Sequence, residues 1–291
     1  MANLKEVRTR IASVSSTQQI TSAMKMVSAA KFRRAQNAII GMRPYAAQLN
    51  EIVADIDTGD GVRTPYHEVR QAHNVVLVVV TSNKGLCGAF NSNVIKLAQQ
   101  RIEHWRREGA TLRVVCIGKK ASEMLVRQRD LNVVSRDELL DAPTFDAIAS
   151  LADSLMAEFE AKGIDRVEVV YNQFKNSLTQ ILTCEQWLPV GSGEKKVERG
   201  ERKANNDYIY EPSKEEILRE MIPLTLRSTF YRIMLDSLAS EHGARMNAMQ
   251  NATDNATELI RELRLSYNKA RQASITNEII EIVSGSEALK G

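Results

Sequence analysis

The chain has 291 residues, with 39 Lys plus Arg against 36 Asp plus Glu, a formal net charge of +3. Hydrophobic residues make up 43% and charged residues 26%, a composition that folds and excludes an intrinsically disordered chain. The longest aliphatic run, Val75–Val80, has six residues against the roughly 20 of a membrane helix, and three cysteines are too few for a disulfide scaffold.

From Asn3 to about Asp57 the only helix breakers are Gly41 and Pro44. Leu4, Val7, Ile11 and Val14 recur at the three- and four-residue steps of one helical stripe. The stripe is expected to slip in phase and resume with Ile20, Met24 and Val27. Gly41 and Pro44 are expected to bend or break the helix. At 1.5 Å per residue it would reach roughly 80 Å, more than the core of a small domain can cover. Lys5, Arg8, Arg10, Lys25, Lys31, Arg33, Arg34 and Arg43 face Glu6 alone in the first 50 residues, a net charge of +7. An organelle transit peptide shares this composition, but the helical pattern continues past residue 50 without a small-residue cleavage region. A basic helix implies an acidic partner: a protein loop, a nucleic acid or an anionic membrane surface.

Residues 58–73 have the composition of a loop. Asn74–Thr81 then reads as a strand buried on both faces of a parallel sheet. A glycine-bearing turn follows, then a helix from about Asn91 to Glu108. Thr111–Ile117 is the next strand, Lys119–Gln128 a helix, Leu131–Ser135 a third strand. A helix starts near Pro143 and ends by Gly163. Arg166–Phe174 and Thr179–Leu188 form a hairpin around Lys175-Asn176-Ser177. Alternating strands and helices imply a right-handed α/β sheet with an antiparallel edge.

Gly191 to Asn206 is polar and reads as a mobile loop, and Tyr208-Ile209-Tyr210 as a short strand. Ser213 and Glu216 form a capping box that opens a second long helix, expected to reach roughly 100 Å if continuous. Met249, Ala252, Ala256, Leu259 and Leu263 form its heptad seam. The expected fold is therefore α/β: a long antiparallel coiled coil of N- and C-terminal helices plus a central Rossmann-like α/β domain. Its divisions are 1–57, 74–190, 191–211 and 212–284. The coil is expected to protrude as an axle that other polypeptides surround.

Chemistry is sparse. The turn Thr81–Asn91 lies where α/β folds bind phosphates, yet matches neither the Rossmann nor the Walker glycine pattern. A nucleotide-binding α/β enzyme using this turn is the alternative reading, and a nucleic-acid-binding coiled coil using the basic N-terminal helix is a third. His67, His73, His104 and His242 show no metal-ligand spacing, and no nucleophile elbow occurs, so no catalytic, cofactor-binding or metal residue is assigned. Cys87 reads as an inert thiol. The methionines on the long helices suit a rod whose neighbours change as it moves.

Ile20-Thr21-Ser22-Ala23-Met24-Lys25-Met26-Val27-Ser28 resembles the N-terminal signature of the F-type ATP synthase gamma subunit family. Arg245-Met246-Asn247-Ala248-Met249 through Asn255-Ala256, and Tyr267 through Ile279, resemble its C-terminal signature. Gly85-Leu86-Cys87-Gly88 with Phe90-Asn91 fits its first sheet turn. The resemblance runs end to end. It implies a non-catalytic central rotor that threads a ring of alpha and beta subunits and rests, with epsilon, on the membrane c-ring. It implies that Met24 and Lys25 meet an acidic hinge loop of beta, and that Arg271 and Gln272 hydrogen-bond beta. Tyr208, Tyr210 and Glu211 match the segment that meets epsilon and the c-ring. Neither nucleic-acid binding nor direct membrane insertion is implied. Asn83-Lys84 departs from the frequent Asp-Arg, and the paired regulatory cysteines of the chloroplast type have no counterpart. With no presequence before Met1, the expected place is the cytoplasmic side of a bacterial inner membrane, as a peripheral protein.

Overall fold

The structure is a computed structural model that describes residues 4–57, 64–128, 131–141, 143–190, 211 and 213–288. Contacts divide the chain into two units, Met1–Ser28 with Arg245–Gly291, and Ala29–Ala244. Helix α1 is Leu4–Asp57 and helix α5 is Lys214–Ala288. Between them lie β1 (Asn74–Val80), α2 (Phe90–Arg107), β2 (Thr111–Ile117), α3 (Lys119–Leu125), β3 (Asn132–Ser135), α4 (Phe145–Glu160), β4 (Arg166–Phe174) and β5 (Gln180–Leu188).

In the first unit the two helices pair antiparallel. Gln18 Nε2 donates to Thr257 Oγ1 at 2.7 Å, and the Thr21 and Thr253 hydroxyls lie 2.8 Å apart. The expected phase slip is absent. On α1, Leu4, Val7, Ile11, Val14, Gln18, Thr21, Lys25 and Ser28 are all buried or half-buried, an unbroken heptad. Ile20 and Val27, assigned to the stripe from sequence, are instead 58% and 57% exposed. Polar residues can hold the seam here because they bond across it. On α5 the buried seam residues are Met249, Ala256 and Ile260, while Ala252, Leu259 and Leu263 are half-buried.

Neither Gly41 nor Pro44 breaks α1. Pro44 removes the N–H that would bond the Ile40 carbonyl, but Ile40 is exposed and water can serve that oxygen. The same holds for Pro223 inside α5, whose orphaned acceptor belongs to exposed Arg219. The capping box forms in part: the Glu216 N–H donates to Ser213 Oγ at 3.2 Å. The loop Gly191–Asn206 and the strand expected at Tyr208–Tyr210 lie outside the described residues.

The second unit is built on a five-stranded sheet in the order β3-β2-β1-β4-β5, parallel except for β5. β1 is apolar on both faces because both are covered. Val76, Val78 and Val80 pack with α4 and α5 through Ile148, Leu155, Phe159, Leu226 and Phe230. Val75, Leu77 and Val79 pack with α2 and α3 through Val94, Ala98, Ile102 and Leu125. Helix α4 starts after Pro143, at Phe145, because Thr144 caps it by accepting from Ala147 N. The β4–β5 hairpin turns through Asn176, whose side-chain oxygen accepts from the backbone N–H groups of Leu178 and Thr179. On one side of the same unit Ile39, Leu235 and Ala239 form a small cluster that also packs Phe174.

Gly118 is demanded both by its backbone conformation and by space. Gly118 has φ +114°, and a Cβ there would lie 2.5 Å from the Thr81 carbonyl oxygen. Gly118→Ala is expected to cost about 3 kcal/mol, read as a lower Tm in thermal unfolding.

Candidate functional site

The turn after β1 is the place where an α/β sheet of this order binds phosphate, since the strand order reverses between β1 and β4. Here several polar groups of the turn are already engaged with one another. The Ser82 N–H donates to Asn91 Oδ1 at 3.0 Å, and Asn91 Nδ2 donates to Ser82 Oγ at 2.8 Å and to Cys87 Sγ at 3.2 Å. Asn172 Nδ2 reaches the Phe90 carbonyl from β4 at 3.2 Å. The first N–H groups of α3 are capped by the same turn: Lys119 N by Asn83 Oδ1, Lys120 N by the Ser82 carbonyl and Ala121 N by Thr81 Oγ1. These bonds tie the turn to the chain's own polar groups.

Cys87 and Cys116 are buried and Cys184 is half-buried. Burial pushes the Cys116 thiol up to about 12, and burial followed by the Glu168 charge pushes Cys184 up to about 12. Among the described residues no cluster of three or more His, Cys, Asp or Glu could hold a metal ion. A cleft lined by Val53, His67, Trp187, Ile222 and Thr229 holds about 180 Å³. That is below the roughly 300–1,000 Å³ of small-molecule sites.

The surfaces of the helices are different. In the first unit the Gln18–Thr257 and Thr21–Thr253 pairs set a register that puts Leu4 opposite about residue 270 and Met24 opposite about residue 250. Met24 and Lys25 are half-buried, and Met26 beside them is 66% exposed. Arg271 and Gln272 are exposed on α5, near the level of Leu4. The two predicted beta contacts therefore do not form one site. They lie on separate levels of the helix pair, roughly 30 Å apart along the axis. Glu211 is exposed; Tyr208 and Tyr210 lie outside the described residues.

Beyond the signature that ends at Ile279, the end of α5 was not singled out from sequence, nor was its exposure. Every side chain from 275 to 286 is exposed, including Ile275, Ile279, Ile280, Ile282 and Val283 at 44–72%. Among the described residues no helix faces this stretch, and a run of exposed aliphatic groups of this kind is typical of interaction surfaces. The signal was present in Glu278-Ile279-Ile280-Glu281-Ile282-Val283, which is too apolar for a solvated helix end. Ile20 and Val27 add outward apolar groups on α1. Among the described residues no helix is long and apolar enough to cross a membrane.

The ATP synthase family profile matches residues 3–289. The chain belongs to the ATP synthase gamma chain family. The gamma chain of Flavobacterium psychrophilum is 52% identical over 294 residues, covering all of both chains. That of Bdellovibrio bacteriovorus is 43% identical, again over the full length of each. Among solved structures, a chain of the central stalk and c-ring of the Tetrahymena thermophila mitochondrial ATP synthase is 26% identical. It aligns with a TM-score of 0.58, over 80% of this chain and 99% of that one. A chain of the Euglena gracilis mitochondrial enzyme has the same fold at 21% identity, with a TM-score of 0.67 over 98% of this chain and 94% of that one. The nucleotide-binding reading of the turn after β1 is not favoured.

Proposed function

We propose that this chain is the central rotor shaft of an F-type ATP synthase, and that it contributes no catalytic group. The observation that carries the reading is the helix pair of the first unit, in which α5 outruns α1 and ends in exposed isoleucines. A surface of that kind fits the bore of an enclosing ring of alpha and beta subunits. Met24 and Lys25 then meet an acidic loop of beta, and Arg271 and Gln272 hydrogen-bond beta at a second level. Tyr208, Tyr210 and Glu211 belong to the surface that meets epsilon and the c-ring. Through that ring the chain is held at the cytoplasmic face of a bacterial inner membrane without inserting into it. Torque from ion flow turns the shaft, and its uneven surface favours a different conformer of each beta subunit in turn.

The test is direct. This chain is assembled with its alpha and beta subunits, the ring is fixed to glass and a bead is attached to the second unit. ATP is expected to turn the bead in one direction. A bead that stays still while the same particles hydrolyse ATP overturns the proposal.

A further inference from the structure

A shaft that carries torque must not spin against the domain that drives it. Apolar packing already opposes rotation, because turning the helix would lift its buried stripe off the sheet. Hydrogen bonds and ion pairs placed off the helix axis add resistance that depends on angle.

In the second unit, α5 lays Ile222, Leu226, Phe230 and Ile233 on the sheet, each almost fully buried. Two arginines lie on opposite sides of that stripe. At about 100° per residue, Arg227 stands about 100° to one side of Leu226 and Arg232 about 120° to the other. Arg227 Nε donates to Asp153 Oδ1 on α4 at 2.5 Å. Arg232 Nη2 lies 3.6 Å from Glu185 Oε2 on β5, and its Nη1 lies 3.3 Å from Asp236 Oδ2 on its own helix. The Tyr171 hydroxyl, on β4, donates to the same Glu185 oxygen at 3.0 Å and fixes the carboxylate in place. Trp187 Nε1 also donates to the Leu226 carbonyl at 3.2 Å, at the centre of the stripe.

We infer that Arg227 with Asp153, and Arg232 with Glu185, act as a rotational key that locks α5 to the sheet. They are positioning residues: they touch neither nucleotide nor ion. Turning α5 either way stretches one tie, so the helix and the sheet move as one body under load. This inference rests on the rotor reading. It adds that the load crosses from sheet to shaft through these two ties.

The key is needed under load and idle without it. The test uses the whole membrane-bound complex carrying Arg227→Met with Arg232→Met, which keep the apolar stems. ATP hydrolysis by the released alpha–beta–gamma portion, where the shaft turns freely, is expected to stay within about twofold of wild type. ATP synthesis by the intact complex at a fixed ion gradient is expected to fall about tenfold. Tyr171→Phe, which removes one hydroxyl from a buried site and keeps its shape, is expected to give a smaller loss of synthesis with hydrolysis unchanged. It decides the matter if the double variant does not assemble. Synthesis at the wild-type level in the variants overturns the key, and so does an equal loss of both activities at normal complex abundance. A wild-type shaft that does not rotate overturns the rotor reading instead, before any variant is compared.

Discussion

Replacing Glu168 with glutamine is expected to destabilise the second unit by about 3 kcal/mol, lowering its Tm by roughly 6–12 °C. Glu168 is a carboxylate on β4 with 2% of its surface exposed. Arg101 on α2 grips it with two bonds, Nε to Oε2 at 2.9 Å and Nη2 to Oε1 at 2.7 Å. Trp105 Nε1 adds a third at 3.2 Å and Arg166 Nε a fourth at 3.1 Å. The register shift between Val167 and Glu168 against β5 sets the carboxylate at this crossing of helix and strands. A neutral amide in its place cannot balance two guanidiniums, and they remain partly desolvated beside it. Because both arginines keep some solvent contact, the lower end of the range for a broken buried pair applies. Removing all three charges, as Glu168→Leu with Arg101→Leu and Arg166→Leu, is expected to cost less than the single change.

The pH dependence has a definite sign. Burial alone raises the Glu168 pKa, but the Arg101 and Trp105 hydrogen bonds and the two positive charges outweigh it and hold the group below its ordinary value of 4.5. A depressed folded pKa contributes stability above the unfolded value and loses it as the pH falls through the folded one. The Tm gap between wild type and Glu168→Gln is therefore expected to be full at pH 7 and to shrink below about pH 4. A gap that does not change with pH contradicts the charged assignment.

This network could not be read in the sequence. Arg101 and Glu168 are 67 positions apart, and no periodicity announces a charge inside a strand. What could be read was the alternation of strands and helices, because Val75–Val80 and the amphipathic helices state their burial locally. The α1 seam shows where local reading fails. Counting only apolar residues breaks the heptad at Gln18, Thr21, Lys25 and Ser28, although Gln18 and Thr21 are satisfied across the seam by Thr257 and Thr253. Pro44 and Pro223 look like breakers in sequence because the exposure of Ile40 and Arg219 is a tertiary fact. The beta-contact residues follow from resemblance to a family. Burial alone points first to the isoleucines of α5.

Met24→Lys is expected to lower the rate of ATP synthesis several-fold and to slow ATP-driven turning with it, since the same contact opposes both. Met24 is half-buried, and Lys25 next to it already presents one ammonium to the surface proposed to meet an acidic loop of beta. A second ammonium there adds a charge-assisted contact of about 1.5–3 kcal/mol wherever the loop passes within reach. A shaft works by binding successive conformers of its neighbours with small differences in free energy. A contact that favours one of them by that amount holds the shaft at one angle and deepens a single well. Ion-driven turning must climb out of that well at every step, so the rate of synthesis falls. Salt separates this account from a packing defect: the added attraction is screened, so raising ionic strength is expected to restore part of the rate. Met24→Leu, which keeps the volume and adds no charge, is expected to behave as wild type. Equal losses in the leucine and lysine variants, or unchanged rotation and synthesis rates in the lysine variant, would contradict the placement of this residue against an acidic partner.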